Sequence, residues 1–209
     1  MDRCWQCSVF LLTKKTMKKT LLLFVFMLAT VFAANAQAQL GVRVGANYAG
    51  LTGDETSASD RMFRFHAGLI SRFYLTTDEF FAIQPELLFS QKGGESEDDD
   101  FKIKLSYIDV PVLAHINAGP IFFEAGPQVS FRVGGDIEVN GTNIDDDLDQ
   151  FKRTSLGYAA GVGFAAPMGL TVGVRYNGDI SQLNDDDNAP EYRNSVFMLT
   201  LGYMFSGSR

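Results

Sequence analysis

From Gly41 onward the chain repeats one two-faced pattern, in which bulky apolar residues alternate with polar, charged or glycine residues, and the runs are joined by connections that are by turns long and short. Alternation at period two is the signature of a strand whose two faces meet different surroundings. It predicts strands over 41–50, 61–75, 80–91, 101–116, 121–134, 152–165, 169–178 and 193–205. The connections 51–60, 92–100, 135–151 and 179–192 are long, and 76–79, 117–120 and 166–168 are short. An up-and-down meander of these eight strands gathers the long loops at one end and the tight turns, with both termini, at the other.

The composition of the two faces says which way they point. Phe63, Phe65, Ala67, Leu69, Phe73 and Leu75 oppose Arg64, His66, Gly68 and Arg72, and Phe81, Ile83, Leu87 and Phe89 oppose Gln84, Glu86 and Ser90. Ile121, Phe123, Ala125, Val129 and Phe131 oppose Glu124, Gln128, Ser130 and Arg132. Leu156, Tyr158, Ala160, Val162 and Phe164 oppose Arg153, Ser155, Gly157, Ala159, Gly161 and Gly163, and Leu170, Val172, Val174 and Tyr176 oppose Thr171, Gly173 and Arg175. A soluble barrel would turn its bulky apolar face inward and its charges outward, and the small, glycine-rich face here could not by itself make a dense hydrocarbon core. Bulky residues toward lipid and small or polar ones toward a narrow lumen is the less costly arrangement. The expected fold class is all-β, a transmembrane eight-stranded antiparallel up-and-down β-barrel with both termini periplasmic and long acidic extracellular loops; a soluble lipocalin-like barrel is the alternative. The last strand, with Phe197, Leu199, Leu201, Tyr203 and Phe205 on one face, resembles the terminal signal read by outer-membrane assembly machinery. Tyr48, Tyr74, Tyr176 and Tyr203 are candidates for the interfacial aromatic girdles.

Residues 1–38 have a different organisation. Lys14, Lys15, Lys18 and Lys19 precede the apolar run LLLFVFMLATVFAA and then NAQAQ, the order of a secretory signal peptide with Ala-x-Ala sites ending at Ala36 or Ala38. The core Leu21–Phe32 is short for a spanning helix. Met17 resembles a natural start, so the first 16 residues read either as an extended n-region or as the result of a misplaced start codon. Both cysteines, Cys4 and Cys7, and the single tryptophan, Trp5, lie there, so the CWQC motif is expected to leave with the signal. The expected mature domain, 39–209, keeps 13 Lys+Arg against 24 Asp+Glu, a net charge near -11, which argues against nucleic-acid binding. Localisation in the outer membrane of a Gram-negative bacterium follows, with no cofactor expected.

Arg43, Arg64, Arg72, Arg132, Arg153 and Arg175 fall on the inner face, with Glu86, Asp109 and Glu124 as partners. Charges confined in so narrow a lumen must be paired or wet, and the guanidinium fork suits carboxylates. The expectation is a hydrated ion-pair core that plugs the barrel; an open polar path is the alternative. If Ile116 pairs with Ile121, His115 lies diagonal to Glu124, a structural histidine rather than half of a catalytic pair. No Ser/His cluster falls on the outward face and no enzyme activity is expected.

The apolar parity of Lys102–Ile116 changes partway along. Ile103 and Leu105 sit on odd positions, whereas Ile108, Val110, Val112, Ala114 and Ile116 sit on even ones. A one-residue slip sends side chains to the opposite face, so an extra residue at Ser106–Tyr107 would let Phe101, Ile103 and Leu105 rejoin the lipid face. That predicts a bulge between Leu105 and Ile108, with Asp109 inside and near an arginine.

Acidic runs concentrate in the long loops: Asp98, Asp99 and Asp100; Asp145, Asp146 and Asp147; Asp185, Asp186 and Asp187. They are weak candidates for Ca²⁺ or Mg²⁺, since none has the EF-hand spacing; solvated loops are the simpler expectation. Divalent ions bridging them to lipopolysaccharide, or a surface protein or glycan ligand, are the partners they suggest besides the membrane lipid itself.

Tyr107, Ile108, Asp109, Val110 and Pro111, followed by Gly119-Pro120 and Gly126-Pro127, resemble the small outer-membrane β-barrel family common in the Bacteroidetes, often labelled porin-like and related in pattern to PorT-type barrels. Gly41–Leu51 and Leu199–Phe205 resemble its first and last strands. The resemblance implies export and outer-membrane insertion and no particular substrate. Two functions follow as expectations: a non-enzymatic barrel with a structural, adhesion or surface-interaction role through its loops, or a narrow porin-like channel for small solutes through an Arg-lined lumen. Oligomeric state is not legible.

Overall fold

The computed structural model describes residues 38–52, 61–95, 101–139, 142–144, 152–182 and 193–205. Their strands are β1 (Ala38–Thr52), β2 (Met62–Tyr74), β3 (Phe81–Glu95), β4 (Phe101–Ala118), β5 (Ile121–Val139), the three-residue β6 (Thr142–Ile144), β7 (Thr154–Ala165), β8 (Leu170–Asp179) and β9 (Arg193–Met204). Sequential antiparallel pairings run from β1 to β5 and from β5 through β7 and β8 to β9, which pairs back onto β1. Eight strands therefore close a barrel with no free edge in its wall, and β6 adds only to the far end of β5.

The register carries the strand tilt. Starting at Ala38 and stepping across pairs, the path visits Phe73, Ile83, Ala114, Ala125, Ala160, Tyr176 and Phe197 and returns to β1 at Tyr48. That stagger of about ten residues over eight strands, at roughly 3.3 Å per residue and 4.8 Å per strand, tilts the strands by about 40°. Tilted strands of 9–11 residues or so suffice to cross an apolar bilayer core, and these strands reach that length.

Alternation sorts the side chains as the composition of the faces requires. Phe63, Leu69, Phe123, Leu156, Val174 and Leu199 lie outward and are each half or more exposed. An apolar surface this continuous is not a water-facing surface. At the short-turn end, Gly119 adopts φ 68° and Gly169 φ 89°, a region that glycine enters without Cβ strain. Gly169 N–H also donates to Ala166 O at 3.0 Å, closing its turn.

Lys102–Ile116 departs from expectation. The register does shift at Ser106/Tyr107, but only against β5: Ser106 pairs with Gly134 and Tyr107 with Arg132, so the extra residue is Val133. Against β3 the pairing is continuous in register from Glu95↔Lys102 to Phe81↔Ile116. β4 therefore keeps one parity, and Leu105 points inward with Tyr107, Asp109, Leu113 and His115, all buried. The expected return of Leu105 to the lipid face is corrected. A parity break in one strand's sequence cannot tell which of two paired strands carries the extra residue, and the interior here accepts an apolar side chain.

Candidate functional site: a charged cluster across the lumen

Four inward side chains from four strands meet in mid-barrel. Arg175 on β8 donates from Nη1 and Nη2 to Glu86 on β3 at 2.8 and 2.9 Å, and from Nε to Glu124 on β5 at 2.8 Å. Arg43 on β1 reaches Glu86 Oε1 at 3.0 Å and Glu124 Oε2 at 3.3 Å. Gln84 Nε2 adds donors to Glu86 at 2.7 Å and Glu124 at 3.1 Å. Exposure of the four ionic residues is 2–4 %. Two cations and two anions make the cluster neutral, and the shared donors satisfy the carboxylates, the conditions under which buried charge is tolerable.

Small neighbours make room for it. Arg43 is flanked across both ladders by Gly68 and Gly202, and Glu124 pairs across β7 with Gly161. The glycine face of β7 and β8 is filled as well: a Cβ at Gly163 would run into the Phe122 ring. Phe122 in turn stacks on His115, centroids 4.9 Å apart. Large side chains thus pack against small ones across the lumen here.

Polar side chains continue on both sides. Toward the long-loop end, Lys92 Nζ donates to Asp109 at 3.0 Å and Ser130 Oγ at 3.1 Å and stands 4.8 Å over the Tyr107 ring. Asn177 donates to Gln128, and Asn194 to Asp179, each at 2.8 Å. His66 Nδ1 lies 2.7 Å from Asn47 Oδ1. Toward the short turns, Arg72 Nε donates to Gln84 Oε1 at 2.8 Å, and a cavity of about 460 Å³ opens among Gln39, Arg72, Tyr74, Asn117 and Thr171.

The expected residues thus divide. Arg43, Glu86, Glu124 and Arg175 are brought together, and Arg72 joins through Gln84. Asp109 is inside, but its ion partner is Lys92, not an arginine. Arg64 is half-buried and reaches the Phe63 carbonyl and Met62 sulfur, not a carboxylate. Arg132 is half-buried, and its N–H bonds the carbonyl of Arg153, which lies before β7 and is exposed. His115 sits directly opposite Glu124, not diagonal to it, because Ala118 and not Ile116 pairs with Ile121. Tyr74 turns inward to Gln39 and Arg72 and is no girdle residue. Tyr107 and Pro111 are buried with Asp109, Gly119-Pro120 forms the tight turn, and Gly126 packs on the Val112 backbone, whereas Pro127 faces outward. Asp98, Asp99, Asp100, Asp145, Asp146, Asp147, Asp185, Asp186 and Asp187 lie outside the described residues, as does the segment 1–37.

Lys92, Asn47, Asn177, Asp179 and Asn194 were not anticipated. Lys92 and Asp179 fall in the spans 92–100 and 179–192 expected to be loop, whereas β3 runs on to Glu95 and β8 to Asp179. The alternation continues through both: Lys92 keeps the parity of Gln84, Glu86 and Ser90, and Asp179 that of Arg175.

Residues 32–205 match the family described as outer membrane protein beta-barrel domain. No curated protein matches the chain. Among solved structures, the attachment invasion locus protein Ail of Yersinia pestis is similar at 16% identity with a TM-score of 0.51, over 80% of this chain and 99% of that one. Neisserial surface protein A is similar at 17% identity with a TM-score of 0.51, again over 80% of this chain and 99% of that one. Both likenesses are of fold. With a matched family model spanning the whole barrel, a closed eight-stranded wall and an apolar outer face, the chain belongs to the outer membrane protein beta-barrel domain family and is an outer-membrane protein.

Proposed function

We propose that this chain is a non-enzymatic outer-membrane barrel with a closed lumen, whose role is structural, adhesive or one of surface interaction and is carried by its acidic long loops. The supporting observation is the neutral Arg43–Glu86–Glu124–Arg175 cluster, which ties β1, β3, β5 and β8 together across the lumen. A rigid plugged barrel is a scaffold on which loops add binding. In this reading the long loops face the outside, both termini face the periplasm, and residues 1–38 are the signal removed on export. Lipopolysaccharide, bridged through divalent ions, and surface proteins or glycans are the partners the loops suit.

Purified protein in a planar bilayer tests the closed lumen. The expected record has no discrete conductance steps. Steps that change size on Arg43→Ala or Arg175→Ala would establish the narrow-channel reading instead. Loss of binding to lipopolysaccharide or glycan surfaces when Asp98, Asp99 and Asp100 are changed to Asn, with folding intact, would support the surface role.

A further inference from the structure

On the outer face, Arg61 is held in a constructed position. Its side chain starts beside β2 and crosses β1 at Gly50, where a Cβ would stand 2.8 Å from Arg61 Cγ. It ends on β9, donating from Nη1 to Ser195 O at 3.2 Å and from Nη2 to Ser195 Oγ at 3.1 Å, with a longer contact to Tyr48 O at 3.4 Å. Gly50 pairs with Ser195, and Ser195 pairs with Gly178, a row of three small residues across β1, β9 and β8 that the Arg61 stem covers at Gly50 and the Tyr158 ring covers at Gly178. One step nearer mid-barrel, Tyr48, Phe197 and Tyr176 form the next row. The guanidinium lies 5.0 Å from the Phe197 centroid and 5.8 Å from that of Tyr48.

The hydrogen bonds have a direction. Arg61 donates to Ser195 Oγ, and Ser195 donates to Tyr176 Oη at 3.2 Å; the Tyr158 ring, 6.0 Å from that of Tyr176, borders the same group. A guanidinium has five N–H donors, more than the three contacts above use, and among the described residues no carboxylate bonds Arg61. The group presents a surplus of donors and a positive charge above an aromatic ledge. Beneath the ledge runs an apolar groove of about 650 Å³ lined by Ala46, Tyr48, Val174, Tyr176, Phe197 and Leu199.

A ligand complementary to both parts carries an anionic oxygen-rich head and an alkyl tail. Arginine matches a phosphate through paired donors, and an aromatic row with a cation above it marks the depth where lipid headgroups begin. We propose that Arg61, Ser195 and Tyr176 form a site for a phosphate of lipid A, with an acyl chain in the groove below. This rests on the reading that the long-loop end faces outside, where lipopolysaccharide forms the leaflet. It differs from ion bridging by the acidic loops, because it needs no divalent cation.

The test is native mass spectrometry of the purified full-length barrel titrated with bisphosphorylated lipid A, dephosphorylated lipid A and phosphatidylglycerol in the presence of a chelator. Wild type is expected to prefer the bisphosphorylated form over the dephosphorylated one by about tenfold. Arg61→Gln loses that preference, Arg61→Lys keeps part of it, and Tyr176→Phe weakens it by about two- to threefold. Heat-modifiable gel migration reports folding of each variant. Gly50→Val, which displaces the arginine stem, is expected to behave as Arg61→Gln; if it does not fold, Arg61→Gln and Arg61→Lys decide. Equal binding of both lipid A forms, an unchanged Arg61→Gln variant, equal affinity for phosphatidylglycerol, or a dimer of the chain in place of bound lipid each overturns the assignment. Antibody access on intact cells to an epitope inserted at 96–100 tests the sidedness separately: failure there would sink the orientation and leave a phosphate preference standing.

Discussion

Arg175→Leu is the sharpest test of the mid-barrel cluster. Arg175 supplies paired donors to Glu86 and a further donor to Glu124. Its removal leaves two buried carboxylates with Arg43 as the single cation among the four. Deleting one partner of a buried ion pair costs about 3–5 kcal/mol, whereas replacing both by apolar groups is near neutral. The single variant is therefore expected to lose about 3–5 kcal/mol. The double variant Glu86→Leu/Arg175→Leu, with Arg43 facing Glu124, is expected to recover most of it, so that the two single costs are far from additive. Urea titration in lipid vesicles, read by the gel shift between folded and unfolded barrel, measures all three. A loss under about 1 kcal/mol for Arg175→Leu, or additive behaviour of the pair, would mean that water screens these charges and that the lumen is not closed by them.

Other substitutions test separate parts of the argument. Leu199→Arg places a charge on the outward face and is expected to cost about 2–4 kcal/mol in the same titration; a negligible cost would show that Leu199 does not face lipid. Gly163→Val would bring a Cβ against both the Phe122 ring and the Val172 carbonyl oxygen and should cost about 1–3 kcal/mol, relieved only in part when Phe122→Ala is added; no relief at all would separate the glycine from that ring. Lys92→Met removes the cation beside Asp109 and is expected to cost about 3 kcal/mol, with Lys92→Arg milder, as measured by unfolding midpoint. Gly119→Ala meets a positive φ and should cost about 1 kcal/mol, without effect on lipid A binding.

The alternation of bulky and small residues, taken with the long and short connections, determines much of this protein by itself. A strand has period two whatever surrounds it, so the residues at Phe63, Phe123, Leu156 and Phe197 declare their face without knowledge of any partner strand. For the same reason the inward placement of Arg43, Glu86, Glu124 and Arg175 is legible along the chain. Only the tertiary structure decides which of these charges meet, because that depends on the stagger of the ladders around the barrel, a sum over all eight pairings that no single strand encodes. Asp109 finds Lys92 in place of an arginine because β3 runs on through Gly93-Gly94, where ladder bonds to β4 outweigh the local preference of glycine for a turn. The bulge belongs to Val133 and not to Ser106 or Tyr107, since a register shift is a property of two strands together. The crossing of Arg61 over Gly50 to Ser195 lies beyond sequence altogether: it joins residues from three strands, one of them the last in the chain, that become neighbours only when β9 closes onto β1.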